Sequence, residues 1–181
     1  MNKQTKLTQN LEYEYSIRFT NKSDAIAIWR LVEGSDTLDH NSFYCYFILS
    51  NFFSSTCAVA ELEDEIVGFV TGFIAPDQPE TYFVWQVRVV EKMRGRGLAR
   101  SLIEFVLNNL DHKQIQFVEA TISPNNSASK NLFSSLARIY NTKIVEDDKY
   151  LPVTIFPPEA GIHEQENLFR VGPIQRKESN S

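Results

Sequence analysis

The stretch that decides the fold is Val87-Arg88-Val89-Val90-Glu91-Lys92-Met93-Arg94-Gly95-Arg96-Gly97-Leu98-Ala99-Arg100. It reads as the end of a strand, a glycine-bearing turn, and the start of an amphipathic helix with Leu98, Leu102, Phe105 and Val106 on one face. The first N–H groups of a helix lack intrahelical partners and sit at the positive end of its dipole. Gly95 and Gly97 let backbone come close to a bulky anion, and Arg94 and Arg96 add charge, so the turn suits a phosphate or pyrophosphate. A solvated basic turn is the plainer reading, but the interleaved glycines and the long strand before them weigh against it. A dinucleotide fingerprint fails because Arg100 stands where its third glycine belongs, and because the strand comes fourth in the chain. A Walker loop fails because no Gly-Lys-Ser/Thr follows.

Outward from this turn, the pattern of apolar residues gives a continuous series of elements. Before it come a strand at Glu14–Phe19 and a helix from Ser23 with Ala25, Ile28, Trp29 and Val32 on its buried stripe. A nearly all-apolar helix follows, from Ser42 to about Phe53, then a hairpin of Thr56–Leu62 and Ile66–Ile74 turning at Glu63-Asp64-Glu65. Thr81–Val90 is the longest β-rich run. After the helix come a strand at Gln116–Ile122, a helix at Ser127–Tyr140 with Leu132, Leu136 and Ile139 inward, and strands at Thr142–Val145 and Glu166–Val171. This order implies an α/β fold with a central mixed sheet and helices on both faces. A single domain is expected over residues 12–174, with tails at 1–11 and 175–181.

Composition narrows the classes. A chain of 181 residues with 43% hydrophobic and 23% charged residues can bury a real core. A net charge of -5 disfavours a nucleic-acid surface, which rests on Lys and Arg against phosphates. No apolar run nears the roughly 18 residues of a membrane span. Residues 1–10 are polar without a signal-like apolar core, so a cytoplasmic protein is expected. Cys45 and Cys57 lack a C-x-x-C partner, and His40, His112 and His163 lack metal spacing, so neither a disulfide nor a metal is expected.

Two segments carry a family resemblance. Arg94-Gly95-Arg96-Gly97-Leu98-Ala99 resembles the R/Q-x-x-G-x-G/A pyrophosphate loop of the GNAT acetyltransferases, and Asn126-Ser127-Ala128-Ser129-Lys130-Asn131-Leu132-Phe133 is similar to their N-x-x-A-x-x-L-Y segment. The resemblance implies the GNAT (acyl-CoA N-acyltransferase) fold and acetyl-coenzyme A as co-substrate. Within that family, Asp39-His40-Asn41-Ser42-Phe43-Tyr44-Cys45-Tyr46, Phe83–Val87, Ala120–Asn125 and His163–Arg170 resemble the diaminobutyrate acetyltransferases of ectoine synthesis. That narrower likeness spans about Ile17 to Pro173 and implies acetylation of the 4-amino group of L-2,4-diaminobutyrate, in a pathway to an osmoprotective solute. Another small amine or a peptide amine on the same fold is the alternative.

The chemistry asks for a neutral amine, a stabilised oxyanion and a departing thiolate. The resemblance implies that the backbone around Gln86–Val89 holds the pantetheine arm, with Val87 N–H on the thioester carbonyl and Val89, Arg94, Gly95, Arg96, Gly97 and Ala99 on the coenzyme; Asn126 either contacts the coenzyme or caps its helix. An alkyl ammonium titrates near 10.4, so a group in reach must accept its proton. Candidates for holding or deprotonating the acceptor are Asp39, Glu164 and Glu166, each with the alternative of an N-cap or surface charge. Tyr44 and Trp85 can shape the acceptor pocket or simply pack. Regular alternation puts Trp85 with Phe83, Val87 and Val89 on one face of the strand; the family resemblance implies a bulge in this strand, which would let Trp85 line the acceptor pocket. Phe133 replaces the family's tyrosine and cannot donate a proton, which leaves Tyr44, Tyr140, water or an unassisted thiolate. The aromatic helix at Phe43–Phe53 suggests burial or contact with a second subunit, and with the resemblance it leads to the expectation of a homodimer.

Overall fold

A computed structural model describes residues 14–35, 38–110, 115–157 and 164–174. The tails expected at 1–11 and 175–181 lie outside the described residues, as do His112, His163 and the rest of positions 158–163. The chain divides into two compact units, one of residues 1–74 with 84–113 and the other of 75–83 with 114–181.

In the first unit, β1 (Ser16–Phe19), β2 (Ala58–Leu62), β3 (Glu65–Phe73) and the later part of β4 (Thr81–Val89) lie in that order. β1 pairs antiparallel with β2 and β2 with β3, the hairpin closing at Glu63 and Asp64, which both take positive φ (50° and 65°). Two successive residues in that region are what a tight primed turn requires. Val90 N–H donates to Val67 O at 2.9 Å and Thr71 Oγ1 to Gln86 O at 3.3 Å, so β4 runs antiparallel to β3. Helices α1 (Ala25–Glu33) and α2 (Phe43–Phe52) cover one face, closing a core of Ile28, Val32, Tyr46, Val59 and Phe69. α3 (Leu98–Asn109) covers the other with Leu98, Leu102, Ile103, Phe105 and Val106 buried, as its periodicity dictates. Arg18 ties the edge together, donating to Asp24 at 2.7 and 2.9 Å and to Glu61 at 2.8 Å. These acids raise the already basic guanidinium further, against a smaller opposing cost of burial.

In the second unit the order is β4, β5 (Phe117–Ile122), β7 (Glu166–Gly172) and β6 (Lys143–Leu151). The β4–β5 ladder is parallel, from Thr81↔Phe117 to Phe83↔Glu119, and the other two are antiparallel. α4 (Ser127–Ile139) packs on β6 and β7. Its inward face holds Phe133, Leu136 and Ala137, whereas Ile139, expected inside, is 46% exposed. The strand expected at Thr142–Val145 runs on to Leu151 although Lys143–Tyr150 are all exposed. Taken together, β4 joins a mixed sheet of seven strands.

Candidate active site

β4 is not regular. A Cβ placed on Gly68 would meet Val89 Cγ2 at 3.3 Å and Leu102 Cδ1 at 3.5 Å, so Val89 lies on the α3 face. Trp85 packs instead with the α1–α2 core, its ring centroid 5.9 Å from that of Tyr46. Residues of the same parity thus face opposite ways, and consecutive Trp85 and Gln86 both reach Tyr46. Arg88 follows Gln86, donating to Gly34 O at the end of α1. An extra residue at Trp85–Gln86 accounts for all of this; the side-chain alternation slips by one, as at a β-bulge. Trp85 therefore does not share a face with Val89, in keeping with the bulge that the family resemblance implies. Because Val90 N–H points to β3, alternation turns the Val89 and Val87 N–H groups to the opposite edge. N–H groups turned away from β3, past the Thr81–Phe83 ladder with β5, can both hold an extended amide chain and donate to a carbonyl.

The turn after β4 has the form its sequence suggested. Gly95 and Gly97 take φ of 74° and 78°, in the left-handed region that other residues enter only at a cost. Gly97 is the N-cap of α3, no side chain caps it, and no acid occupies the first turn. The first intrahelical bond runs from Ser101 N–H to Gly97 O at 3.0 Å. Arg94 Nε donates to Val89 O at 3.3 Å, and the side chains of Arg94 and Arg96 are exposed. Ala99 is half-buried behind them. An uncapped, acid-free helix start with glycines before it and cations around it fits a pyrophosphate. In the second unit Asn126 caps α4, accepting from Ser129 N–H at 3.0 Å.

The remaining candidates separate. Asp39 has an exposed side chain, but its carbonyl accepts from Gln86 Nε2 at 2.9 Å. It does not cap α2, whose N-cap Ser42 makes no side-chain bond. Tyr44 is 65% exposed and stacked on Phe47, centroids 6.0 Å apart. Structure therefore joins Asp39 and Trp85 to one cluster around Tyr46 and Gln86, and leaves Tyr44 on the open side of α2. In the second unit Glu164 is exposed, and Glu166 opens β7 opposite Leu151. Phe133 is 1% exposed and belongs to the core. Tyr46 and Gln86 were missed by sequence reasoning, although both lie within the quoted segments. Burial, before any other influence, raises the Tyr46 phenol above its ordinary range. Among the described residues no three His, Cys, Asp or Glu side chains cluster as metal ligands would.

Residues 24–137 match the acetyltransferase (GNAT) family. The chain belongs to the GNAT acetyltransferases. Among relatives of this acetyltransferase, the L-2,4-diaminobutyric acid acetyltransferase of Virgibacillus pantothenticus is 42% identical over 86% of this chain and 96% of its own. That of Halomonas elongata is 41% identical over 88% and 81% respectively. The solved diaminobutyrate acetyltransferase EctA from Paenibacillus lautus, in complex with its substrate L-2,4-diaminobutyric acid and coenzyme A, superposes with a TM-score of 0.84. It is 35% identical, covering 92% of this acetyltransferase and 99% of that chain.

Proposed function

We propose that this acetyltransferase moves the acetyl group of acetyl-coenzyme A to the 4-amino group of L-2,4-diaminobutyrate, giving the N4-acetyl product used in ectoine synthesis. What carries the reading is the glycine turn at the α3 N-terminus, together with relatives above 40% identity that bear this activity in their names. Acetyl-coenzyme A supplies the acetyl group as a reactive thioester. Arg94, Gly95, Arg96, Gly97 and Ala99 hold its pyrophosphate, and Asn126 supports the coenzyme from the start of α4. Val87 and Val89 hold the extended arm along the edge of β4 opposite β3. The Val87 N–H is the oxyanion donor, a fixed dipole worth about 3 kcal/mol in comparable sites.

Asp39 and Glu164 hold the ammonium ends of the acceptor by charge-assisted hydrogen bonds, and Glu164 takes the proton from the reacting amine. Trp85 and Tyr44 bound the acceptor. Phe133 has no proton to give; Tyr44 or water protonates the thiolate, or it leaves unassisted. The 2-amine is the less basic of the two and so is more often neutral, which means selectivity for the 4-amine comes from orientation rather than intrinsic reactivity.

A panel of amines with acetyl-coenzyme A, scored by free thiol and by NMR of the product, tests this. Diaminobutyrate should lead the panel and yield the 4-acetyl compound. Predominant 2-acetylation, or preference for a peptide amine, sinks the assignment. Glu164→Gln should lower activity on diaminobutyrate while coenzyme binding stays intact. The exposed aromatics Phe43, Tyr44, Phe52 and Phe53 support a homodimer, which sedimentation at micromolar concentration tests. A cytoplasmic site of action fits a chain in which no described helix is long and apolar enough to cross a membrane.

A further inference from the structure

Three polar contacts of the first unit, from Tyr46, Thr71 and to Asp39, meet at Gln86. Its side chain is 6% exposed and Tyr46 is fully buried, yet neither is a bystander in the core. Tyr46 O–H donates to Gln86 Oε1 at 3.1 Å, and Gln86 Nε2 donates to the Asp39 carbonyl at 2.9 Å. Asn41 lies at the same phenol. The amide has one orientation here, because only its nitrogen can donate to a carbonyl; its oxygen is thereby left for the hydroxyl. The Asp39 carbonyl also accepts from Asn41 Nδ2 at 3.2 Å, a local contact two residues away, so Gln86 is the group that ties Asp39 to β4. Gln86 also directly precedes Val87, whose N–H faces the edge of β4 opposite β3 by alternation from Val90.

We infer that Gln86, locked by Tyr46, is a positioning residue for the acceptor: it fixes Asp39 relative to the Val87 N–H and so governs which amine of a diamino acid meets the thioester. This rests on the assignment of Asp39 to the acceptor site made above. A displacement of about 1 Å at such a contact can cost about a hundredfold in rate, and it lets the wrong amine compete.

Gln86→Met keeps the bulk and removes both polar ends. It should raise KM for diaminobutyrate about tenfold, the size of one lost hydrogen bond. The product should shift from the 4-acetyl toward the 2-acetyl compound, with the acetyl-coenzyme A dissociation constant unchanged. Tyr46→Phe should move both readouts the same way by less, and the double variant should be no worse than Gln86→Met, as for residues acting through one contact. If Gln86→Met does not fold, Tyr46→Phe, which releases the amide from its lock, carries the test through the same product shift. Wild-type product ratio and acceptor KM in the Gln86 variants, or losses shared with coenzyme affinity at an unchanged ratio, would overturn the inference. Asp39→Asn measured alongside separates the two layers. If Asp39→Asn raises the acceptor KM while the Gln86 variants behave as wild type, the relay falls and the acceptor site stands. A silent Asp39→Asn beside active Gln86 variants removes Asp39 from the acceptor site, and the inference with it.

Discussion

The turn at Arg94–Ala99 and the Asp39–Tyr46–Gln86 relay belong to one unit yet are made of opposite materials. The turn is contiguous, largely exposed and built from backbone: glycine dihedrals, and helix N–H groups that no side chain caps. The relay is gathered from segments 40 and 47 residues apart, and its two linking side chains are buried. A backbone device tolerates side-chain change everywhere except where a dihedral demands glycine. A side-chain relay is open to damage at every member, but each loss is small because one hydrogen bond is small.

The sharpest way to break this contrast is Gly97→Val. A Cβ there would meet only the end of the Arg100 side chain, at 3.2 Å, so the cost lies in the φ of 78°. Strain of about 1–3 kcal/mol, with the helix start displaced, should raise the acetyl-coenzyme A dissociation constant about a hundredfold by calorimetry, with acceptor KM at saturating coenzyme unchanged. Unchanged binding would remove the turn from the coenzyme site. Arg94→Ala comes next, with about a fivefold loss of coenzyme affinity that fades at high salt, because its charge is exposed and screened. A loss as large as that of Gly97→Val would mean that charge, not backbone, dominates the turn.

On the relay side, Tyr46→Phe should cost about 1 kcal/mol of stability in denaturant melts, leaving Gln86 Oε1 without its donor. Its pH dependence has a definite sign. Burial raises the folded-state pKa of Tyr46, so above pH about 10 the unfolded chain loses this proton first and stability falls as pH rises. Wild type should therefore show an alkaline loss of stability that Tyr46→Phe reduces, and no difference in slope between pH 6 and 9. Equal alkaline slopes in the two proteins would show that the phenol is not held as described. The smallest effect belongs to Val87→Ala. The N–H survives the change, so kcat should stay within about threefold of wild type; a collapse would transfer the role from backbone to side chain.

The same contrast explains what the sequence could reveal. Leu98, Leu102, Phe105 and Val106 announce α3 through their spacing, and Gly95 and Gly97 announce the turn, because both signals are local. A period-two reading has no place for the extra residue at Trp85–Gln86; only the family resemblance implies a bulge there, and Gly68 and Tyr46, as references on the two faces, locate it. β6 was read short because Lys143–Tyr150 show no buried face at all; that strand exists through its ladder with β7, which no local pattern records. Ile139 was placed inward by spacing alone, but α4 turns Phe133 and Ala137 to its core instead. Asp39 was picked out for its carboxylate, yet the contact that positions it uses its carbonyl, a group every residue has.

Position 95 selects for handedness rather than size. An added Cβ there would meet nothing within 4 Å, so L-alanine is resisted only by the φ of 74°. A mirror-image residue prefers that region as strongly as its natural counterpart avoids it. D-alanine placed at 95 by semisynthesis would stiffen the turn before any ligand arrives. It would thus carry part of the ordering cost that the coenzyme otherwise bears on binding, leaving a site that is chemically unaltered but pre-set.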